Sequence, residues 1–203
     1  MKRITIGICC LVLTVLLTTA LWATSPSNDA QVADTVSPSE TSLAFDLSVE
    51  EMVEVSDLIL IGSCVEARSM WVDRNLVTLA SISVKETLKG GESSAVTVVL
   101  PGGADANRKI PVAMTYPGAP RIAPSEDVFL FLTKDDELGG GYTIAGFSQG
   151  KFSIIKDEEG RDVVSRDLTD MTLKGKAGLR RGTATRSTLS GLRSQVMQQL
   201  RKQ

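Results

Sequence analysis

Three kinds of side chain in this sequence could do chemistry. Cys64 is a candidate nucleophile, but a reactive thiol needs a neighbouring base or a lowered pKa. The 203-residue sequence contains no His, and Cys64 follows an apolar run, so it reads as a small buried hydrophobe. Carboxylates cluster at Asp135-Asp136-Glu137 and Asp157-Glu158-Glu159. Paired acids can serve glycoside hydrolysis, and oxygen-rich loops can hold calcium. Both clusters lie beside Gly in expected hairpin turns and lack EF-hand spacing, so solvated turns are the expectation. Pro101-Gly102-Gly103 and Gly139-Gly140-Gly141 lack the Lys-Ser/Thr pair and following helix of a phosphate loop. They read as turns. No catalytic residue, no cofactor and no metal ligand is expected.

Binding chemistry is better represented. Residues 70–75 (MWVDRN) place Trp71 and Arg74 in an expected loop. Trp71 there could stack on a base, a sugar or a partner side chain, or fold back over a barrel mouth as a lid. The second group is basic. From residue 171 to the end there are eight Lys and Arg, including Arg180, Arg181 and Arg193, and no acid. With Lys2 and Arg3 in the leader, 12 basic residues face all 24 acidic ones in the body. An acidic body repels phosphates, so nucleic acid is not expected as a partner. The basic tail either docks on its own body or meets something anionic.

These residues must be positioned by the following elements. Residues 1–23 have the basic start, apolar run and small-residue exit of a secretory signal; uncut, the same segment is long enough for an anchor. Residues 24–42 are polar and Pro-punctuated, a disordered tether. Residues 43–170 form the β-domain, 171–187 a basic linker, and 188–203 a C-terminal amphipathic helix with Leu189, Leu192, Val196 and Leu200 on one stripe. Within the domain, Ser48 and Glu51 fit a capping box and Leu47 with Met52 a hydrophobic staple, opening a two-turn helix. Leu58-Ile59-Leu60-Ile61 starts a strand with Gly62 as a bulge or corner. Residues 76–88 alternate over roughly 44 Å, long enough to coil around a barrel. Residues 96–100 follow, then a loose Pro-rich stretch over 104–125 with one short strand. Val128-Phe129-Leu130-Phe131-Leu132 is apolar throughout and reads as buried on both faces. Strands over 142–147 and 151–155 and at Val163-Val164 complete the set. The expected class is mainly β: an antiparallel OB-like barrel with a short N-terminal helix and the C-terminal helix.

The run VEVSDLILIGSCVE, VTLASISVKETLKG, VTVVLPGG, EDVFLFL and GFSQGKFSI resembles a widespread group of uncharacterised exported bacterial proteins. More distantly, it is similar to the netrin-like module of tissue inhibitors of metalloproteases. That resemblance implies a five-stranded OB-type barrel over residues 53–155 and export. The inhibitors reach a protease zinc through an N-terminal Cys and carry disulfides; here only Cys64 follows the leader, and no functional residue is carried over.

The expected function is an exported, non-enzymatic binding or accessory module of the cell envelope or extracellular space, with a protein or glycan partner. A carboxylate-dependent hydrolase and a protease-inhibitor-like role are the alternatives. Peripheral membrane contact through the basic C-terminal helix is the expected lipid mode, set against docking of that helix on its own barrel.

Overall fold

The computed structural model describes residues 41–135 and 141–203. The leader and nearly all of the tether, residues 1–40, lie outside the described residues, as do 136–140 of the acidic and glycine-rich turn.

Strand β1 (Ser42–Phe45) leads into helix α1 (Val49–Val55). The capping box forms as its sequence requires. The Glu51 N–H donates to the Ser48 hydroxyl at 3.2 Å, and the Ser48 N–H donates to the Glu51 carboxylate at 2.8 Å. The helix buries Met52 and Val53 and stops at Ser56, whose hydroxyl donates back to the Met52 carbonyl at 2.6 Å.

Strands β2 (Leu58–Val72) and β3 (Asn75–Lys89) form a long antiparallel hairpin. The expected loop at 70–75 shrinks to a turn of Asp73 and Arg74, with Asp73 at φ 54°. Register shifts at Ile59/Leu60, Ile61/Gly62 and Cys64/Glu66 bend the ladder, as bulges do. Gly62 lies so close to β3 that a Cβ there would stand 2.5 Å from the Ser83 carbonyl oxygen. Strand β4 (Ala95–Pro101) pairs with β3, and β5 (Gly103–Asp105) with β6 (Val112–Met114) makes a small separate hairpin in the Pro-rich stretch. Strand β7 (Asp127–Asp135) returns beside β2. Strand β8 (Gly141–Ile144) pairs antiparallel with β7 and touches β4 in parallel at Val98 and Tyr142. Pairing therefore runs β2-β3-β4-β8-β7 and back to β2, a ring of five strands. The β4–β8 and β1–β11 pairings are parallel, so the sheets are mixed and not antiparallel throughout.

One core draws on every ring strand: Leu58, Leu60 and Cys64, Ala80 and Ile82, Val98 and Leu100, Val128, Leu130 and Leu132, and Ile144. Alternate residues of β2 and β7 face the other way. Ile59, Ile61, Phe129 and Phe131 join Met52, Val53, Phe152, Val164, Leu192 and Val196 in a second core. Phe129 and Phe131 stack at 5.4 Å between ring centroids. This double burial is why both segments are apolar at every position.

Strands β9 (Lys151–Lys156) and β10 (Asp162–Arg166) extend the sheet beyond β7. The stretch expected to be a basic linker contains three strands instead: β11 (Met171–Gly175), β12 (Gly178–Arg181) and β13 (Thr185–Thr188). Met171 and Leu173 point into a third small core with Leu168, a two-residue alternation that the density of Lys and Arg obscures in sequence. Strand β11 lies between β1 and β12, and β13 pairs with β10.

Helix α2 (Leu189–Leu200) starts at Thr188, whose hydroxyl accepts the Gly191 N–H at 3.1 Å. Its stripe enters the second core through Leu192 and Val196, with Leu189 and Leu200 at the margin. The Gln195 side chain donates to the Glu50 carboxylate of α1 at 2.9 Å. The helix docks on its own body.

Candidate functional site

Strand β9 sets the site. Phe152 enters the second core, so Lys151 and Ser153, one residue either side, face the opposite way. There they meet Glu126, the residue before β7. Lys151 Nζ lies 2.6 Å from Glu126 Oε1 and 2.7 Å from Ser153 Oγ, and Ser153 Oγ donates to the same carboxylate oxygen at 2.7 Å. The other oxygen accepts the Ala123 N–H at 2.9 Å. Burial works to raise the Glu126 pKa, but the bonds from Lys151, Ala123 and Ser153 and the Lys151 charge outweigh it. The carboxyl is held below its ordinary value.

Beside this triangle opens a cleft of about 620 Å³. Lys151 and Ser153 border it, with Ser165 standing directly across from Ser153 on β10. Residues 115–121 form one wall and residues 167–170 the other. The first wall is fixed from behind. The Ser42 hydroxyl donates to the Pro117 carbonyl at 2.5 Å. Gly118 has φ 65°, and a Cβ there would stand 2.7 Å from Met171 Cγ. Residues 115, 116 and 119–121 also border a more apolar groove of about 320 Å³ that includes Leu100, Met114 and Ile122.

A hydroxyl 2.7 Å from a lysine amine has the outline of a Ser–Lys nucleophile pair. In this arrangement Lys151 Nζ donates to both Ser153 Oγ and Glu126 Oε1, and the Ser153 hydroxyl donates to the carboxylate, not to the amine. The arrangement holds the Ser153 hydroxyl and the Lys151–Glu126 charge pair in place.

The residues expected from sequence to bind a partner are distributed over three places. Trp71, next to last in β2, is half-buried, its indole N–H donating to Asp105 Oδ2 at 2.8 Å. The Arg108 guanidinium lies 4.5 Å above its ring and 3.1 Å from the same Asp105 oxygen. That bond to Trp71 is the main reason the Asp105 carboxyl lies below its usual pKa. Trp71 is thus tied to the β5–β6 hairpin. Arg74 is exposed on the adjoining turn. Arg180 grips Asp46 with two nitrogens, each at 2.7 Å, while Arg181 is exposed on β12. Arg193 pairs with Glu86.

Comparison with known proteins returned no match to a family model, a curated protein or a solved structure. The geometry alone therefore carries the functional reading. Cys64 is buried, and that burial, helped by the Glu126 charge, raises its thiol pKa. Asp157 is occupied by the Glu159 and Arg161 N–H groups and the Arg161 guanidinium. Among the described residues no group of three or more Cys, Asp or Glu is placed to hold a metal ion, and no helix is long and apolar enough to cross a membrane.

Sequence reasoning missed Glu126, Lys151, Ser153 and Ser165. The available signal was the polar-apolar-polar order Lys151-Phe152-Ser153, which puts two hydrogen-bonding side chains on the face opposite a core Phe.

Proposed function

We propose that this chain is an exported binding module of OB type, seating a protein or glycan partner in the cleft between residues 115–121 and 167–170. The pairing order β2-β3-β4-β8-β7, with β4 and β8 parallel, supports reading the ring as a five-stranded OB-type barrel. The observation that carries the binding reading is the neutralised Glu126–Lys151–Ser153 triangle beside an open cleft. Its hydroxyls, with Tyr116 and Arg121 at the wall, offer the mixed polar and aromatic contacts that orient a ligand. The Glu126 carboxylate is already bonded to Lys151, Ser153 and the Ala123 N–H, which favours binding over acid–base use of this site.

A glycan array probed with the labelled chain tests this, with Ser165→Trp as a variant that fills the cleft. Binding that is lost in Ser165→Trp supports the module. Turnover of chromogenic ester or glycoside substrates, abolished by Ser153→Ala, replaces it with the hydrolase.

A further inference from the structure

The β1–β11–β12 sheet has two unlike faces. The inner one, with Ala44, Met171 and Leu173, closes the third core. On the outer one, the register sets Leu43 beside Thr172 and Arg181, and Phe45 beside Lys174 and Leu179. Leu43, Phe45 and Leu179 are 64%, 72% and 67% exposed, among the most exposed large apolar residues described. Lys174 Nζ stands 5.9 Å from the Phe45 ring centroid. None of these six residues is acidic, and among the described residues neither Lys174 nor Arg181 is paired with a carboxylate. This face has apolar tips set among cations that no described carboxylate neutralises, although Arg181 Nε donates to the Thr169 carbonyl at 3.4 Å.

We propose that the outer face of the β1–β11–β12 sheet docks on the surface of an anionic lipid bilayer. Leu43, Phe45 and Leu179 enter the headgroup boundary, and Lys174 and Arg181 meet lipid phosphates. Such a surface gains from apolar burial and from charge together. A second copy docking about a two-fold axis is the poorer occupant, because it sets the cations of one patch against those of the other. Chain order favours the bilayer as well. In the uncut chain the apolar run at 4–23 is separated from Ser42 by 18 residues, which reach no more than about 65 Å when extended. The proposal moves lipid contact from helix α2, whose apolar stripe is used internally, to the sheet. It does not depend on the cleft.

Hydrogen–deuterium exchange on the full chain reads the sheet directly. It is run without vesicles, with phosphatidylcholine vesicles, and with vesicles containing phosphatidylglycerol. Residues 4–23 are uncharged but follow Lys2 and Arg3, so the cationic face is reported by protection over the sheet itself and by its loss on charge reversal at that face. Exchange over 42–45 and 178–181 is expected to slow with the anionic vesicles only. Lys174→Glu/Arg181→Glu is expected to lower affinity for them by about tenfold or more, and Leu43→Ser/Phe45→Ser to abolish the protection. These residues are exposed, so unchanged melting of the variants confirms their fold. Equal protection in both lipids, or none, overturns the proposal. So does protection that appears without lipid and grows with protein concentration, which assigns the face to a second copy.

Discussion

Arg193 on α2 holds Glu86 on β3 through two nitrogens, with Nη2 2.5 Å and Nε 2.9 Å from the same Oε1. On the same helix, Leu192, the residue before it, and Val196, three residues on, are buried. The polar contact and the apolar one fix the same helix to the same body, and their energies differ. The Arg193 and Glu86 side chains are 48% and 37% exposed, so solvent screens their attraction.

Leu192→Ala is therefore expected to destabilise the chain by about 2–5 kcal/mol, the range for emptying a packed apolar site. Arg193→Ala is expected to cost clearly less, because the pair it breaks is screened by solvent. Urea unfolding midpoints of the two variants check the order. A larger loss in Arg193→Ala shows that the helix is held by charge.

Much of this docking was legible in sequence, because Leu189, Leu192, Val196 and Leu200 recur at helical spacing. So were α1, through Ser48 and Glu51, and the two-faced burial of β2 and β7, through unbroken apolar runs. The strands β11 and β12 were not. Only Met171 and Leu173 mark an inner face there, and β12 buries nothing, so its pattern resembles solvated chain. The loop expected at 70–75 was placed correctly but drawn too long. Asp73 takes a positive φ without a glycine, so nothing in the sequence marked a two-residue turn. The cleft is invisible in sequence because Glu126, Lys151 and Ser165 meet only through pairing across β7, β9 and β10.

The triangle around Glu126 gives stability a defined acid limb. A carboxyl whose folded pKa is depressed contributes above its unfolded value, and the contribution is lost as pH falls through the folded value. Wild-type melting temperature is expected to fall as pH drops below the ordinary Glu value of about 4.3. Glu126→Gln is expected to be less stable than wild type at neutral pH, with a gap that narrows in acid. Thermal melts between neutral pH and strong acid check both. A gap that stays constant across the series removes the ionised carboxylate from the account.

Cys64 lies in the ring core with its Sγ 3.4 Å from the Glu66 carbonyl. Thiolate is the alkylated form, and burial disfavours it. Native protein is expected to leave Cys64 unmodified by iodoacetamide while urea-unfolded protein reacts promptly. Peptide mapping distinguishes it from Cys9 and Cys10. Rapid native labelling shows an opening of the core that the packing does not provide.

Trp71 supplies the last test, because its indole N–H is one of the links from the β2–β3 hairpin to the β5–β6 hairpin. Trp71→Phe keeps an aromatic ring for Arg108 to cover and removes the donor to Asp105. A hydrogen bond to a carboxylate contributes about 1.5–3 kcal/mol when sheltered. This one is only partly sheltered, and the expected global loss is smaller than that. The local effect is larger in relation to what holds the small hairpin, which pairs only with itself in the sheets. Amide exchange over 103–114 is expected to speed up in Trp71→Phe while the buried strand β7 keeps its protection. If 103–114 and β7 accelerate together, Trp71 supports the ring as a whole; if neither changes, the Ser69 hydroxyl bond to the Ala104 N–H is enough to hold the hairpin in place.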